Sequence, residues 1–326
     1  MKNIFKVLIL AIIIPVTAAT FEVPSLKALF GKEFDGRDLK LIKVLDKNNA
    51  YTRHYITYMS GKYKISGIMN IPNGKGPYPV LILNHGYIDT RYYTTGRGLK
   101  REQDYFARHG YVVLHSDYRG HAGSDNDPEN YLKLNLGYTE DMLNAIYAVK
   151  NSNLKVIDKE NIGMLGHSLG GGIALNIAAI KPGLVKAYIL LAPISIDYAD
   201  NFDRWIKRRP PEEEKKIPAK YGPPALRHKI IETYGTPQSN PDFWEGLSVK
   251  NHIDRIVDPI MVHHGTADDS VPVEWSLKLS RALREHGKSI QLYTYGGQPH
   301  EFTSAWSTVM KRSVDFFDDY LKKNLK

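Results

Sequence analysis

The chain has 326 residues, 42% hydrophobic and 24% charged, which suits one large folded core and argues against disorder. It contains no cysteine, so disulfides, thiolate metal sites and a cysteine nucleophile are all excluded. The formal charge of +9 is spread through mixed-sign segments; the one dense basic run, 204–209, is followed at once by Glu212-Glu213-Glu214, and with no nucleic-acid motif beside it no nucleic-acid partner is expected.

At the N-terminus, Lys2 and Lys6 precede or flank the apolar run Val7 to Ile14, and Thr17-Ala18-Ala19 supplies small residues for cleavage. This is the pattern of a secretory signal over residues 1–19, cut after Ala19, with an uncleaved anchor as the alternative. The run is short for a bilayer span, and no later stretch reaches spanning length. Residues 20–326 are therefore expected to be exported as one domain without stable membrane insertion.

Residues 20–50 are weakly patterned apart from a short helix at Ser25 to Phe30. From His54 to Ile71 apolar and polar residues alternate around Ser60-Gly61-Lys62, as in a β-hairpin. Val80 to Leu83 is a continuous apolar strand of the kind buried on both faces, and it ends in Asn84-His85-Gly86-Tyr87. The glycine lets the backbone turn there, which makes the Tyr87 N–H a candidate donor to a developing oxyanion. A helix from Leu99 to His109 and a strand from Tyr111 to His115 follow, then the polar loop Asp117 to Ser124, which lacks the lysine of a phosphate-binding loop and is expected to be a packing turn. Next come a helix from Thr139 to Lys150 and an apolar strand that breaks at Gly166-His167-Ser168-Leu169-Gly170 before an alanine-rich helix.

A Gly-x-Ser-x-Gly turn between strand and helix is the context of a nucleophile elbow, although chance also supplies the five-residue motif. A strand at 186–192 leads into 194–258, where prolines at 210, 211, 218, 223, 224, 237 and 241 and many aromatics break the alternation. An insertion of that length is usually functional and reads as a lid; a surface elaboration that packs its own aromatics is the alternative. Trp205, Tyr221 and Trp244 are its candidate substrate contacts. The alternation resumes with a strand at 259–264, a helix from Val273 to His286, a strand from Ile290 to Tyr295 and a helix from Phe302 to Leu321. Strands alternating with helices imply an α/β fold with a doubly wound, mostly parallel sheet, whose ligands bind beyond the carboxyl ends of the strands.

A serine hydroxyl needs a base to take its proton and a carboxylate to orient that base. The loop after residue 264 carries Asp268 and Asp269, and the loop after residue 295 carries His300. With His85-Gly86, Asp117-Tyr118-Arg119-Gly120, the serine motif, His264-Gly265-Thr266-Ala267-Asp268 and His300 in this order, the chain resembles the α/β-hydrolase superfamily, particularly its prolyl-oligopeptidase-like and dienelactone-hydrolase-like branch. The resemblance implies an α/β-hydrolase fold with a lid insertion, Ser168 as nucleophile, Asp268 as acid, with Asp269 the runner-up, His300 as base, and the Tyr87 and Leu169 amides as oxyanion hole. His167 is expected to point away across the elbow. His85, His263 and His264 raise the question of a metal, but no His-x-x-x-His helix supports one, so no metal and no cofactor is expected.

The function implied is hydrolysis of carboxylic esters, acetyl, short acyl or feruloyl-type, through an acyl-enzyme. The alternative is a serine peptidase of the prolyl-oligopeptidase-like type; the stretch before residue 54 is too short for the β-propeller of those peptidases, which favours the esterase. A binding protein without activity is the third reading, disfavoured by the complete set of catalytic residue types. The expected partner is a small or polymer-attached ester, and activity is expected to rise with pH as the base becomes neutral.

Overall fold

The computed structural model describes residues 23–207 and 224–322; the expected signal segment, 1–19, and Tyr221 lie outside them. Nine strands form one sheet in the order β1-β2-β3-β5-β4-β6-β7-β8-β9. The first three, β1 (Arg37–Lys47), β2 (Tyr51–Ser60) and β3 (Tyr63–Pro72), are antiparallel, and β3 pairs antiparallel with β5 (Val112–Ser116). From β5 onward, β4 (Tyr78–Asn84), β6 (Ile157–His167), β7 (Ala187–Leu191), β8 (Ile260–Gly265) and β9 (Ile290–Tyr295) run parallel.

The continuous apolar runs have their reason in the two-sided burial of these parallel strands. Successive strand residues point to opposite faces. Thus Val80 and Ile82 of β4 join one core with Val112 and Leu114 of β5 and Met164 of β6, whereas Leu81, Leu83, Val113 and Leu165 join the other. Helices α3 (Leu136–Asn151) and α4 (Leu169–Ile180) cover the first face, and α2 (Lys100–Arg108) and the C-terminal α9 (Trp306–Leu321) the second. Before the sheet, α1 (Leu26–Phe30) starts at Ser25, whose hydroxyl accepts from Ala28 N–H as an N-cap.

Between β7 and β8 the chain forms α5 (Tyr198–Asn201), a π-helical turn at Phe202–Ile206, α6 (Pro224–Tyr234), α7 (Pro241–Gly246) and a 3-10 segment at Val249–Arg255. Helix α8 (Val273–Glu285) then links β8 to β9. The final helix starts at Trp306 rather than Phe302, because residues 300–305 form turns in which Phe302 has a φ of 51°. No described helix is long and apolar enough to cross a membrane.

The loop after β5 is a packing device, as its lack of a phosphate-binding lysine suggests. Asp117 accepts from Tyr93 Oη at 2.8 Å, Gly96 N–H at 2.9 Å and Ser66 Oγ at 2.6 Å. Arg119 turns the other way and meets Asp141 on α3 at 2.8 Å, with Asp127 and Glu140 beside it.

Candidate active site

β6 ends at His167 and α4 begins at Leu169, so Ser168 alone makes the turn, with φ 57° and ψ −119°. Positive φ strains a residue that carries a Cβ, and surrounding bonds must hold it. Ser168 N–H donates to Leu191 O at 2.9 Å, and Ser168 O accepts from Gly171 N–H at 2.9 Å. The flanking glycines are steric requirements. A Cβ at residue 166 would lie 2.2 Å from Gly170 O, and one at residue 170 would lie 2.1 Å from Asn84 O. The spacing of the motif thus allows strand, turn and helix to pass within backbone contact.

Because β6, β8 and β9 are parallel, their following loops gather at one sheet edge. His300, after β9, has Nδ1 2.6 Å from Asp268 Oδ2, after β8. The carboxylate identifies which nitrogen carries the hydrogen: Nδ1 donates, leaving Nε2 with its lone pair. Asp268 Oδ1 accepts from the N–H groups of Ser270 and Val271, both at 2.9 Å. His264 Nε2 approaches Oδ2 at 3.2 Å, and both side chains are completely buried. Burial pushes the Asp268 carboxyl pKa up, but the hydrogen bonds from His264, His300 and Val271 outweigh it and hold it well below the usual carboxylate range. Asp268 therefore remains an anion that orients His300. Asp269 has a different place: its carbonyl accepts from Arg204 and its carboxylate from Ser270 Oγ.

Ser168 and His300 line one cavity of about 650 Å³, together with Gly86, Tyr87 and Leu169. Its far wall includes Tyr131, Leu134, Ile194, Trp205, Ile206 and Ile230. Leu169 is the first residue of α4, so its amide has no acceptor one turn earlier in the helix. The Gly86-Tyr87 turn lies alongside, where a Cβ on Gly86 would come 3.1 Å from Ser168 Cβ. The two backbone segments proposed as oxyanion donors therefore flank the serine.

Several expectations need revision. His167 does not point away: it lines the cavity, and its ring centroid lies 4.4 Å from that of His300, with Nε2 3.3 Å from His300 O. Burial, and next the neighbouring His300, lower its pKa below the ordinary histidine value. Of the lid aromatics, Trp205 faces the cavity, but Trp244 is only 1% exposed and packs among Phe202, Phe243 and Tyr198. It anchors the inserted helices and does not line the substrate space.

His85, His263 and His264 do not converge either. His85 stacks on Tyr118 at 4.2 Å, His263 Nδ1 meets Tyr295 Oη at 2.8 Å, and His264 serves Asp268. The last contact is the one that sequence reasoning missed. His264 Nε2 also faces Val271 O at 3.0 Å, so it carries the hydrogen, and Nδ1 lies 2.7 Å from Ser276 Oγ. Its placement next to Gly265, four residues before the acid, was the available signal.

Comparison with known proteins agrees with this geometry. Residues 79–215 match the alpha/beta hydrolase fold family, and residues 226–324 match the prolyl oligopeptidase family. An uncharacterized peptidase of Bacillus subtilis, YtmA, is 23% identical over 249 residues, covering 76% of this chain and 85% of its own. The acylaminoacyl peptidase of Pyrococcus horikoshii superposes with a TM-score of 0.66 at 20% identity, over 86% of this chain but only 43% of that larger one. Est1E from Butyrivibrio proteoclasticus, solved with ferulic acid bound, has a TM-score of 0.62 at 21% identity and is covered over 99% of its length, against 82% of this chain. With sheet order, strained elbow and the two family matches in agreement, the chain has the α/β-hydrolase fold and carries the residue set of a serine hydrolase.

Proposed function

We propose that this hydrolase cleaves carboxylic esters through an acyl-enzyme on Ser168. The observation that carries the reading is the opening of the Ser168 elbow into a largely apolar cavity of about 650 Å³ that also receives His300, itself held by Asp268. His300 Nε2 takes the hydroxyl proton as Ser168 Oγ adds to the carbonyl carbon, and the amides of Leu169 and Tyr87 receive the oxyanion. Collapse expels the alcohol with the proton from His300; water then repeats the sequence and releases the acid. Asp268 stays ionised throughout and stabilises the imidazolium.

An ester is favoured over a peptide by the wall. Tyr131, Trp205, Leu134 and Ile206 offer apolar and aromatic surface for an acyl group or ring. The match to Est1E over nearly its whole length supports the same reading, and the apolar N-terminal run with small residues at 17–19 supports an exported enzyme acting on an environmental ester. The peptidase reading rests on the prolyl oligopeptidase match over residues 226–324 and on YtmA.

Initial rates on p-nitrophenyl esters from acetyl to feruloyl, set beside an aminoacyl p-nitroanilide, separate the two. The ester reading predicts a kcat/KM on at least one ester well above that on any anilide. Comparable or faster anilide cleavage overturns it in favour of the peptidase.

A further inference from the structure

We propose that the base of this site is also a ligand in a transition-metal site formed by His167, His300 and Glu301, at which Zn²⁺ binds and stops hydrolysis. The inhibitory consequence rests on the serine-hydrolase reading of Ser168 and His300; the metal site itself does not.

Among the described residues, these three form a group in which one nitrogen of each ring and one carboxylate oxygen lie within 4.8 Å of one another. A tetrahedral Zn²⁺ with bonds of about 2.0–2.2 Å needs donors roughly 3.3 Å apart, so closure requires a movement of about 1.5 Å at most. Glu301 can supply it. It is exposed, and its carboxylate makes no ion pair among the described residues. The two rings are already side by side, with centroids 4.4 Å apart.

The protonation pattern suits a metal. His300 Nδ1 is occupied by Asp268 at 2.6 Å, which leaves Nε2 as the donor atom. A carboxylate behind a ligating histidine fixes its tautomer and raises its basicity, the arrangement found behind many zinc-bound imidazoles. His167 Nε2 lies 3.3 Å from His300 O, a contact that keeps this ring beside the base. Two imidazoles and one carboxylate form a borderline donor set that takes Zn²⁺ in preference to Mg²⁺ or Ca²⁺, which favour oxygen ligands. The lone pair that binds the metal is the one that must take the Ser168 proton, so metal binding and catalysis exclude each other. No sequence pattern announces the site, because its ligands come from the end of β6 and from the loop after β9, 133 positions apart.

The test begins with calorimetric titration of Zn²⁺ into the Ser168→Ala protein, which needs no activity. One Zn²⁺ per chain is expected at this site. Glu301→Gln and His167→Gln, each checked for an unchanged thermal melt, should each weaken binding by about tenfold or more. Wild-type hydrolysis should fall over the concentration range in which Zn²⁺ binds, recover with EDTA, and ignore Mg²⁺. Absence of binding, or binding untouched by both ligand substitutions, overturns the metal site. If Zn²⁺ binds as expected but the wild type cleaves neither ester nor anilide, the functional reading fails and the metal site stands.

Discussion

Asp268 is held from four directions, and His264 is the least conspicuous of its partners. His300 donates from the cavity side, two backbone amides hold Oδ1, and His264 donates from the interior to Oδ2. A hydrogen bond to a charged group is worth about 1.5–3 kcal/mol, so His264 contributes to the placement of the carboxylate without touching substrate. His264→Leu should lower kcat about tenfold to a hundredfold with KM nearly unchanged. His264→Gln, whose amide still donates, should retain more. Equal kcat values for His264→Leu and the wild type, measured by steady-state kinetics on one ester, would assign His264 to packing alone.

At the same scale, the placement of Ser168, Asp268 and His300 at strand ends, with Ser168 and His300 on one cavity and Asp268 bonded to His300, was legible because strand ends, glycines and chain order carry strong constraints. The orientations of His167 and Trp244 were not. A residue beside the nucleophile can lie on either side of the elbow, and only the approach of the 300 loop decides that His167 meets His300. Trp244 sits in a proline-rich, aromatic segment where ring–ring packing and ligand contact have the same composition; its contacts with Phe202 and Phe243 show which applies.

Among the elements, the loop after β5 and helix α3 are joined by one cation. Arg119, 4% exposed, meets Asp141 through Nε and Nη2, Asp127 through Nη1 and Glu140 through Nη2. Asp141 is fully buried and also accepts from the Arg119 backbone N–H at 2.8 Å. Removing the guanidinium would leave buried carboxylate unpaired. Arg119→Met should therefore destabilise the fold by about 3–5 kcal/mol in urea unfolding. A loss below about 1 kcal/mol, typical of surface pairs, would show that water replaces the cation.

Strands were readable in proportion to their burial. The parallel strands β4 to β8 stand out as apolar runs, whereas β1 was passed over as weakly patterned. Its burial explains this: nearly every residue is exposed, and Lys40, Lys43 and Lys47 line a sheet edge that must not recruit another chain. β6 begins at Ile157, earlier than its apolar run, because Ile157 and Asp158 pair with Tyr78 and Pro79 before a register shift.

For the whole molecule, acid is the expected weakness. Burial, the largest cause in each case, lowers the pKa of His85, His115, His121, His167 and His263, with His115 and His263 pushed down to about 3. An unfolded histidine binds its proton near pH ~6.5, so between that pH and the lowered folded values the unfolded chain holds more protons. Their stabilising contribution is complete above the unfolded value and is lost as pH falls toward the folded ones. Asp268, lowered for a carboxylate, acts in the same direction at lower pH. Each such group contributes a slope of up to ~1.4 kcal/mol per pH unit. The urea midpoint should fall steeply from pH 7 to pH 4. A flat profile would mean that these histidines accept protons in place.

The central claim is that Ser168 is an activated nucleophile, and the most direct measurement is covalent labelling by a fluorophosphonate followed by peptide mass spectrometry. One adduct per chain is predicted, on the peptide containing Ser168, and none in Ser168→Ala. An unlabelled wild type, or a label retained in Ser168→Ala, would contradict the account.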